Sequence, residues 1–518
     1  MSEIRILWAD DEIDLLKPQI IFLEQKGYAV EPVSNGHDAL DKCKTEHFDL
    51  IFLDEHMPGI TGLETLSRIK AINQDIPVVM ITKNEEENIM EEAIGSQIAD
   101  YLIKPVKPNQ ILLAIKKITE NKKLVSEKTA TSYRQEFQTI MTEVNNVNTH
   151  QEWTELYRKL IYWELELEKA NNPDMKNILD MQKGEANKEF FKFITRNYMK
   201  WLKEAGKEST PTLSHTLFKD KVIPSIQKDV PTFFLLVDNL RYDHFKVIET
   251  LIKEDFRKVS EDYFYSILPT TTQYSRNAIF AGLMPLEIDR KYPEKWFYDD
   301  ENAGKNLHEE FFLNEQFKRN NISLKTSYTK ITNHKSGKDL EDTILNLMNN
   351  DFNVIVYNFV DMLSHARTEM EVLKELASDE AAYRSLTLSW FDHSPLLNAL
   401  QKLKERKVRI VITSDHGTVR VQNPSKIIGD KATTTNLRYK TGKNLNFNEK
   451  EVFYVKNPEE ALLPKSNLSS SYVFAKEDYY FCYPNNYNHF VNYYRNTFQH
   501  GGVSIEEMIV PVAVFESK

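Results

Sequence analysis

Carboxylate side chains follow two apolar runs in the first quarter of the sequence. Asp10 and Asp11 follow the run Ile4–Ala9, and Asp54 ends a second run that begins near Asp49. Carboxylate oxygens gathered at neighbouring strand ends form the hard site that Mg²⁺ prefers. Beside such an ion, the Asp54 carboxylate can attack a phosphoryl group. These residues therefore predict a magnesium-dependent phosphoryl acceptor.

Two further residue types complete this acceptor site. Thr82 closes the strand Val78–Thr82 and offers a hydroxyl to a phosphoryl oxygen, while Lys104, before Pro105, offers a cation. A single aspartate at a strand end is usually a turn or helix cap. Five residue types in this order and spacing favour the acceptor over a set of unrelated caps.

A second group of metal-type residues is scattered through the C-terminal half. Zinc binds carboxylate oxygen and imidazole nitrogen in near-tetrahedral sets. The sequence offers two such sets: Asp361, His365 and His500 in one, and Asp238, Asp415, His416 and a threonine oxygen in the other. Two zinc ions can hold the attacking and leaving oxygens of a phosphoryl transfer. Each string alone would more often be a cap or a surface histidine, but together they predict a two-zinc hydrolytic site.

The hydroxyl cluster from Thr270 to Ser275 supplies candidate nucleophiles for this second site. Thr271 and Thr272 are adjacent, and either hydroxyl could attack phosphorus. The segment leads into a predicted helix over 277–282, whose backbone donors would favour a phosphate nearby.

A parallel α/β framework is needed to bring these groups together. Short apolar runs alternate with amphipathic stretches over residues 1–120, and the same pattern returns after Pro211. The predicted N-terminal strands are Ile4–Ala9, Asp49–Leu53, Pro77–Ile81 and Tyr101–Ile103. The predicted helices are Asp14–Lys26, Gly36–Lys44, Gly62–Ile72, Glu85–Ile94 and one that Pro108 opens. The strongest C-terminal runs are Thr232–Val237, Asn353–Val360 and Val408–Thr413, each followed by an acidic residue.

Residues 121–205 lack this alternation and are predicted to be helical, because Gly and Pro nearly vanish there. Two apolar stripes at helical spacing are typical of core packing in a small bundle. The stripes are Trp153, Leu156, Tyr157, Leu160 and Ile161, and then Phe190, Phe191, Ile194, Tyr198, Trp201 and Leu202.

Composition limits the class of protein. The chain has 518 residues, of which 41% are hydrophobic, with a net charge of -11 and a pI near 5.7. This length predicts two or three domains. No stretch is apolar for long enough to span a bilayer and no export signal is evident, so we expect a cytoplasmic protein without membrane contact. The acidic balance argues against direct binding of duplex DNA. Cys43 and Cys482 lie outside any CxxC spacing, so a metal must use His and Asp.

The first 120 or so residues resemble a response-regulator receiver domain. The resemblance rests on the acidic pair, the Met-Pro-Gly string after Asp54, Thr82, Lys104-Pro105 and Tyr101. It implies a flavodoxin-like fold and phosphotransfer from a sensor histidine kinase to Asp54.

The same resemblance assigns roles to individual residues. Mg²⁺ would be held by Asp10, Asp11, Asp54 and the backbone carbonyl of His56. Thr82 and Tyr101 would form the switch that rearranges on phosphorylation, together with Lys104. Lys83 departs from the family, which usually carries a small residue there.

The C-terminal strings resemble the alkaline phosphatase superfamily, and Asp-Asn-Leu-Arg-Tyr-Asp at 238–243 is similar to its PglZ branch. The whole chain is similar to PorX-type response regulators, which are associated with type IX secretion. We therefore expect a receiver domain over 1–122, a helical bundle linker over 123–208 and a larger α/β PglZ domain over 209–518. The resemblance implies a two-zinc phosphodiesterase acting on cyclic or linear oligonucleotides. It also implies a homodimer on phosphorylation, and an alternative sigma factor as partner.

The superfamily resemblance also bears on the catalytic residues. The string from Thr272 to Arg276 matches the spacing of the family's nucleophile motifs, although Tyr274 replaces their usual proline, so we favour Thr272 over Thr271. Thr272 would also ligate zinc. Arg241 is a candidate contact for the substrate phosphate, whereas Arg438 and Lys440 fit better as surface charges.

Two other classes of protein remain open. One is a DNA-binding transcription regulator, and the other is a non-catalytic zinc scaffold that regulates transcription through a sigma factor. The sequence does not give the natural substrate or show whether monoesters are cleaved. Nor does it show whether phosphorylation controls catalysis, dimerisation or partner binding.

Overall fold

The computed structural model describes residues 4–83, 98–298, 306–358, 360, 379–430, 433–465, 467 and 469–518. The chain forms two compact units. One comprises Met1–Tyr133 with Ala170–Asn172, and the other comprises Arg134–Lys169 with Pro173–Lys518.

The first unit contains a five-stranded parallel sheet with helices around it. Its strands are β1 (Ile4–Ala9), β2 (Tyr28–Val33), β3 (Leu50–Asp54), β4 (Val78–Thr82) and β5 (Asp100–Ile103), in the order β2-β1-β3-β4-β5. Its helices are α1 (Lys17–Gln25), α2 (Gly36–Thr45), α3 (Gly62–Ile72) and the beginning of α4 (Pro108–Asn146). The flavodoxin-like fold is thus confirmed.

Local chemistry explains where these helices begin. The Asn35 side chain accepts a hydrogen bond from Asp38 N–H at 2.9 Å and caps α2. Thr61 caps α3 in the same way, through Glu64 N–H at 3.1 Å. The predicted helix Glu85–Ile94 lies outside the described residues.

The second unit begins with helices that belong to its core. α5 (His150–Lys169) and α6 (Pro173–Lys203) bury both predicted stripes, except that Phe191 is partly exposed. The rings pack on the following α/β region: Trp201 lies 5.3 Å from Tyr265 and Tyr157 lies 5.6 Å from Tyr242, centroid to centroid. The stripes are confirmed as core positions.

A six-stranded sheet forms the centre of the second unit. The sheet consists of β6 (Thr232–Val237), β7 (Phe256–Tyr265), β8 (Thr326–Ile331), β9 (Phe352–Tyr357), β10 (Arg409–Thr413) and β19 (Ile509–Ser517). The strands between β10 and β19 belong to smaller sheets of two or three strands: β11 (Val419–Arg420), β12 (Asn423–Ile428), β13 (Tyr439–Gly442), β14 (Asn446–Phe447), β15 (Val452–Val455), β16 (Ser471–Ala475), β17 (Tyr479–Cys482) and β18 (Phe498–Gln499). The large sheet has the order β7-β19-β10-β6-β9-β8, in which β8, β9, β6 and β10 are parallel. β19 runs antiparallel to both of its neighbours.

The helices of this region alternate with its strands along the chain and complete the α/β architecture. They are α7 (Tyr242–Asp255), α8 (Asn277–Ala281), α9 (Pro285–Lys291), α10 (Glu309–Arg319), α11 (His334–Thr343), α12 (Glu380–Asp392), α13 (Pro395–Gln401), α14 (Tyr487–Tyr494) and α15 (Ile505–Met508). Every residue of β6, β9 and β10 is buried, as expected for parallel strands covered on both faces. Within the described residues, no helix has the length and apolar character needed to cross a bilayer.

Candidate functional site

Asp238 and Asp415 leave the carboxyl ends of two adjacent parallel strands. Leu236 of β6 pairs with Thr413 of β10, and each aspartate follows two residues later. Asn239 turns the chain in the left-handed region at φ 62° and donates its N–H to Asp415 Oδ1 at 3.2 Å. Both carboxylates are fully buried, Asp238 at 1% exposure and Asp415 at 0%. The sheet therefore presents two carboxylates at the edge where ligands of α/β proteins bind.

Thr272 meets this pair from the first turn of the segment Thr272–Arg276. Its Oγ1 lies 3.3 Å from Asp238 Oδ1 and 3.2 Å from His416 Nε2. Thr271 Oγ1 is instead buried, with no hydrogen-bond partner in the part of the chain that the structure describes. Of the two candidate hydroxyls, only that of Thr272 contacts the carboxylate and imidazole groups.

His416 presents one ring nitrogen to the same point. Its Nδ1 lies 3.1 Å from the carbonyl oxygen of Gly417, which can only accept, so Nδ1 is the donor there and Nε2 faces Thr272. Ligand atoms of Asp238, Asp415 and His416 all lie within 4.8 Å of one another. Two carboxylates and an imidazole whose orientation is fixed by a backbone carbonyl fit a zinc ion.

His500 lies beside His416. The two rings stack with centroids 4.3 Å apart, and His500 Nδ1 lies 3.2 Å from the carbonyl oxygen of Thr270. Three of the predicted zinc-ligating segments thus converge, although they are far apart in sequence. Asp361 and His365, which the sequence analysis placed in one zinc set with His500, lie outside the described residues.

Arg276 is a site residue to which the sequence analysis gave no role. Its guanidinium is fully buried and pairs with Asp415 Oδ2 through Nε at 2.9 Å and with Asp238 Oδ2 through Nη2. Burial disfavours the charged form of Asp415, but the charge of Arg276 and the hydrogen bonds from Arg276 and Asn239 are among the effects that together outweigh it and lower the pKa of that carboxyl. The signal that could have found Arg276 is its position four residues after Thr272.

Arg276 also connects the cluster to the next strand and to α10. Its Nη1 donates to Asn358 Oδ1 at 3.1 Å and lies 3.6 Å from Glu309 Oε1. Asn358 comes directly after β9, and β9 is the parallel neighbour of β6 in the sheet. One side chain therefore ties together residues at the ends of three parallel strands.

The guanidinium of Arg241 is engaged by carboxylates other than Asp238 and Asp415. Its guanidinium is buried in a bidentate pair with Asp243, at 2.8 Å in both contacts, and its Nη1 lies 2.5 Å from Glu380. Asp243 also pairs with Arg384 of α12 at 2.8 Å, and Arg384 reaches Glu164 of α5 at 2.6 Å. The predicted contact of Arg241 with substrate phosphate stays a prediction.

The interpretation of Arg438 and Lys440 as surface charges is wrong, because both are buried. Arg438 pairs with Glu507 through Nη2 at 2.6 Å and Nε at 3.1 Å. Lys440 Nζ donates to the carbonyl of Thr434 at 2.8 Å, and burial lowers its pKa to about 8. Sequence alone does not indicate that Arg438 pairs with Glu507, because the two residues are far apart along the chain.

Three buried serine hydroxyls form a hydrogen-bond network at the backbone of Asp415. The hydroxyls of Ser266 and Ser275 both donate to the carbonyl of Asp415, at 2.8 and 2.7 Å, and Ser214 Oγ lies 2.8 Å from Ser275 Oγ. This network holds the Asp415 backbone against the segment that carries Thr272.

The receiver unit forms a separate polar site at the ends of β1 and β3. Lys104 Nζ lies 2.8 Å from Asp10 Oδ2 and 3.2 Å from Asp54 Oδ2, and both carboxylates are buried. Burial raises the pKa of Asp54 to about 6, and the charge of Asp10 adds to the shift. Two buried carboxylates beside one ammonium leave a net negative charge, which fits a divalent cation.

The other predicted receiver residues differ in their exposure to solvent. Thr82 is buried at the end of β4, Tyr101 is 39% exposed, and the side chains of Asp11 and His56 are exposed. Lys83, the departure from the family pattern, pairs with Glu12 at 2.8 Å. Carboxylate oxygens of Asp10, Asp11 and Glu12 lie within 4.8 Å of one another. The sequence analysis predicted neither the ion pair of Lys83 nor the presence of Glu12 in this group.

Comparison with known protein families identifies the architecture. Residues 217–515, more than half of the chain, match the family described as "BREX system PglZ alkaline phosphatase-like domain". The chain belongs to the PglZ family. Residues 6–116 match the response regulator receiver domain and residues 123–202 match the PorX response regulator linker domain. The order of these three matches is that of a PorX-type response regulator.

Two relatives of this PglZ protein each match about a fifth of its length. The chain is 32% identical over 115 residues to the transcriptional regulatory protein ResD of Bacillus subtilis, covering 22% of this chain and 48% of ResD. It is 35% identical over 114 residues to ZraR of Klebsiella oxytoca, covering 22% of this chain and 26% of ZraR. The chain thus spans between about a quarter and a half of the length of these curated relatives.

Solved structures similar to this PglZ protein also cover the receiver part. A CheY-like receiver domain from Methanospirillum hungatei JF-1 has 29% sequence identity and a TM-score of 0.23, covering 24% of this chain and 98% of that one. CheY4 of Vibrio cholerae has 26% identity and a TM-score of 0.22, covering 23% and 99%.

Proposed function

We propose that this PorX-type regulator is a zinc phosphodiesterase whose activity or assembly is controlled by phosphorylation of Asp54. Its substrates are nucleotide-type phosphate esters, cyclic or linear oligonucleotides. The observation that carries the proposal is the position of Thr272 Oγ1, 3.3 Å from Asp238 Oδ1 and 3.2 Å from His416 Nε2. A hydroxyl held between a carboxylate and an imidazole is placed for nucleophilic attack.

When bound, zinc would supply Lewis acidity for this chemistry: it would lower the pKa of the hydroxyl and offset the charge of the phosphoryl oxygens. One ion would be held by Asp238, Asp415, His416 and Thr272, and a second by Asp361, His365 and His500. The ligands that the structure describes are oxygen and nitrogen donors of the kind zinc accepts.

The residues of the chain carry out the remaining steps. Thr272 Oγ1 gives its proton toward Asp238 Oδ1 and forms a bond to phosphorus as the ester P–O bond breaks. The leaving ester oxygen takes that proton from Asp238 and departs as an alcohol. The oxygen of a water then bonds to phosphorus as the bond to Thr272 Oγ1 breaks. One proton of this water passes through Asp238 to Oγ1, and the phosphate leaves with the remaining hydroxyl. Arg276 holds Asp238 and Asp415 in place throughout, because its guanidinium is paired with both carboxylates.

The regulatory half of the proposal concerns the receiver. A sensor histidine kinase would donate the phosphoryl group to Asp54, with Mg²⁺ held by Asp10, Asp11, Asp54 and the His56 carbonyl. The partners proposed downstream are a second copy of the chain and an alternative sigma factor, in the regulation of type IX secretion. Two buried carboxylates beside Lys104 support the acceptor role.

Paired threonine variants test the catalytic proposal. Thr272→Val removes the hydroxyl that contacts Asp238 and His416, whereas Thr271→Val removes an adjacent hydroxyl that contacts neither. Hydrolysis of bis-p-nitrophenyl phosphate and short oligonucleotides should fall by about 10³-fold or more in Thr272→Val and by less than about tenfold in Thr271→Val. Metal content is measured on the same samples.

The outcomes separate enzyme from scaffold. If the wild-type protein binds zinc and cleaves neither diesters nor monoesters, the enzyme proposal fails and a zinc-containing scaffold acting through a sigma factor takes its place. If Thr271→Val is the inactive variant, the assignment of the nucleophile is wrong.

A further inference from the structure

The short helix α15 (residues 505–508) lies against both histidine-bearing segments. Gly417, next to His416, donates its N–H to the carbonyl of Glu507 at 3.2 Å. Gly502, two residues after His500, donates its N–H to Glu507 Oε1 at 2.9 Å. A shift of α15 would therefore displace the backbone beside both imidazoles.

The contact at Gly417 has no spare room. A Cβ added there would lie 2.1 Å from the carbonyl oxygen of Glu506. Because the two backbones touch directly, the position of residues 506–507 sets the position of the loop that carries Asp415 and His416.

One side chain of α6 holds α15 from outside the catalytic sheet. The Asn187 amide donates from Nδ2 to both carboxylate oxygens of Glu506, at 3.0 and 3.2 Å, and its Oδ1 accepts from Ile505 N–H at 2.8 Å. Asn187 and Glu506 are both buried, at 9% and 6% exposure. The buried amide thus makes three hydrogen bonds: it donates two to a carboxylate and accepts one from a backbone N–H. Together they form a strong and directional contact.

We propose that Asn187 is a positioning residue for the hydrolytic site. Resting on the proposed zinc phosphodiesterase function, it acts through α15 to fix the relative placement of His416 and His500. The helical segment is then part of the framework of the site and not only a spacer, because one of its residues determines the geometry of ligands more than two hundred residues away.

The magnitude follows from the behaviour of residues that orient metal ligands. Loss of such a residue costs about 10- to 100-fold in metal affinity or activity. Asn187 contacts neither histidine, so it should change zinc affinity and kcat while leaving KM within about twofold, since it does not touch substrate.

The test compares Asn187→Ala with Gln182→Ala in the full chain. Gln182 is a matched control: it lies in the same helix, is 2% exposed, and its amide donates to the Phe137 carbonyl at 3.0 Å, away from α15. Zinc dissociation constants are measured by chelator competition, kcat and KM with bis-p-nitrophenyl phosphate, and amide exchange at 416–418 and 500–503. Asn187→Ala should weaken zinc binding at least about tenfold, lower kcat, and accelerate exchange at both segments. Gln182→Ala should leave all of these near wild type.

A double variant checks that the contact itself is responsible. Asn187→Asp combined with Glu506→Gln exchanges the amide and the carboxylate, so it should recover most of the zinc affinity that Asn187→Asp alone loses. This pair also keeps the test decisive if Asn187→Ala does not fold. Equal losses in Asn187→Ala and Gln182→Ala, or no recovery in the exchanged pair, would overturn the proposal.

The experiment distinguishes this proposal from the proposed function. If the wild-type protein binds zinc without cleaving esters, the catalytic proposal fails while zinc affinity still tests Asn187. If it neither binds zinc nor cleaves, the exchange rates alone decide whether Asn187 fixes the two segments.

Discussion

His244 is a fully buried histidine whose charge state links folding to pH. Its Nδ1 lies 3.5 Å from Thr387 Oγ1, and its ring packs edge-on against Tyr383. Burial lowers its pKa to about 3, with Asp243 opposing the shift. In the unfolded chain the pKa returns to about 6.5, so between these values the unfolded state binds more protons. Stability therefore falls as pH drops below about 6.5.

This residue alone should make the second unit about 2 kcal/mol less stable at pH 5 than at pH 8. The measurement is the urea midpoint of wild type, His244→Gln and the control His489→Gln at both pH values. His489 is exposed. The change in midpoint between the two pH values should shrink in His244→Gln and persist in His489→Gln. Equal changes in all three proteins would contradict the assignment.

Single residues of the site were predictable where their type and position carried the information. Asp238, Asp415, His416 and His500 follow apolar runs or stand in short strings, and the structure brings them together. The choice between arginines was not predictable. Arg241 and Arg276 both lie close in sequence to candidate residues, and only the fold pairs Arg276 with the two aspartates.

At the scale of elements, α6 contains a glycine that weakens it. Gly184 lies exposed in the helix interior, and a Cβ added there would meet nothing within 4 Å. Gly184→Ala should stabilise the second unit by about 0.5–1 kcal/mol, because alanine loses less backbone entropy in a helix. The urea midpoint of this unit should rise accordingly.

Gly417→Ala is the matched opposite case, since its added Cβ would lie 2.1 Å from the Glu506 carbonyl oxygen. This variant should lower the midpoint by an amount that exceeds the gain at Gly184. If both substitutions moved the midpoint in the same direction, local space would not be the deciding factor.

The elements found from sequence were those with continuous apolar character. β1, β6 and β10 are central or fully buried strands. Their apolar runs predicted the bounds of each strand to within one residue. β2, β7 and β8 were not predicted because each lies at a sheet edge and carries polar residues. β19 is central and apolar, but Pro511 interrupts its pattern, since proline is typical of edges and bulges.

At the scale of the whole molecule, phosphorylation should change the state of association. A phosphoryl group on Asp54 adds acceptor oxygens that compete for Lys104, which now contacts both Asp10 and Asp54. Mass measured by light scattering should double when Mg²⁺ and a beryllofluoride phosphoryl mimic are added. Asp54→Ala should show no change, and an unchanged monomer in wild type would remove dimerisation from the proposal.

Domain order was accessible from the sequence, since all three segments carry distinct patterns. The association of α5 and α6 with the α/β region was not, because an apolar helical stripe does not reveal what it packs against. The contacts of Trp201 and Tyr157 with the α/β core, and of Glu164 with Arg384, are long-range in sequence.

The position of β19 imposes an order of events during synthesis. This strand, residues 509–517, lies between β7 and β10 in the middle of the large sheet. Until the ribosome has released it, β7 has no partner strand, and the loop after β10 lacks the adjoining segment that supports it. The receiver sheet, by contrast, needs no strand beyond Ile103. A nascent chain can therefore complete its receiver sheet long before its large sheet is closed. In the interval β10 can pair with β6, whereas β7 must wait without a partner strand.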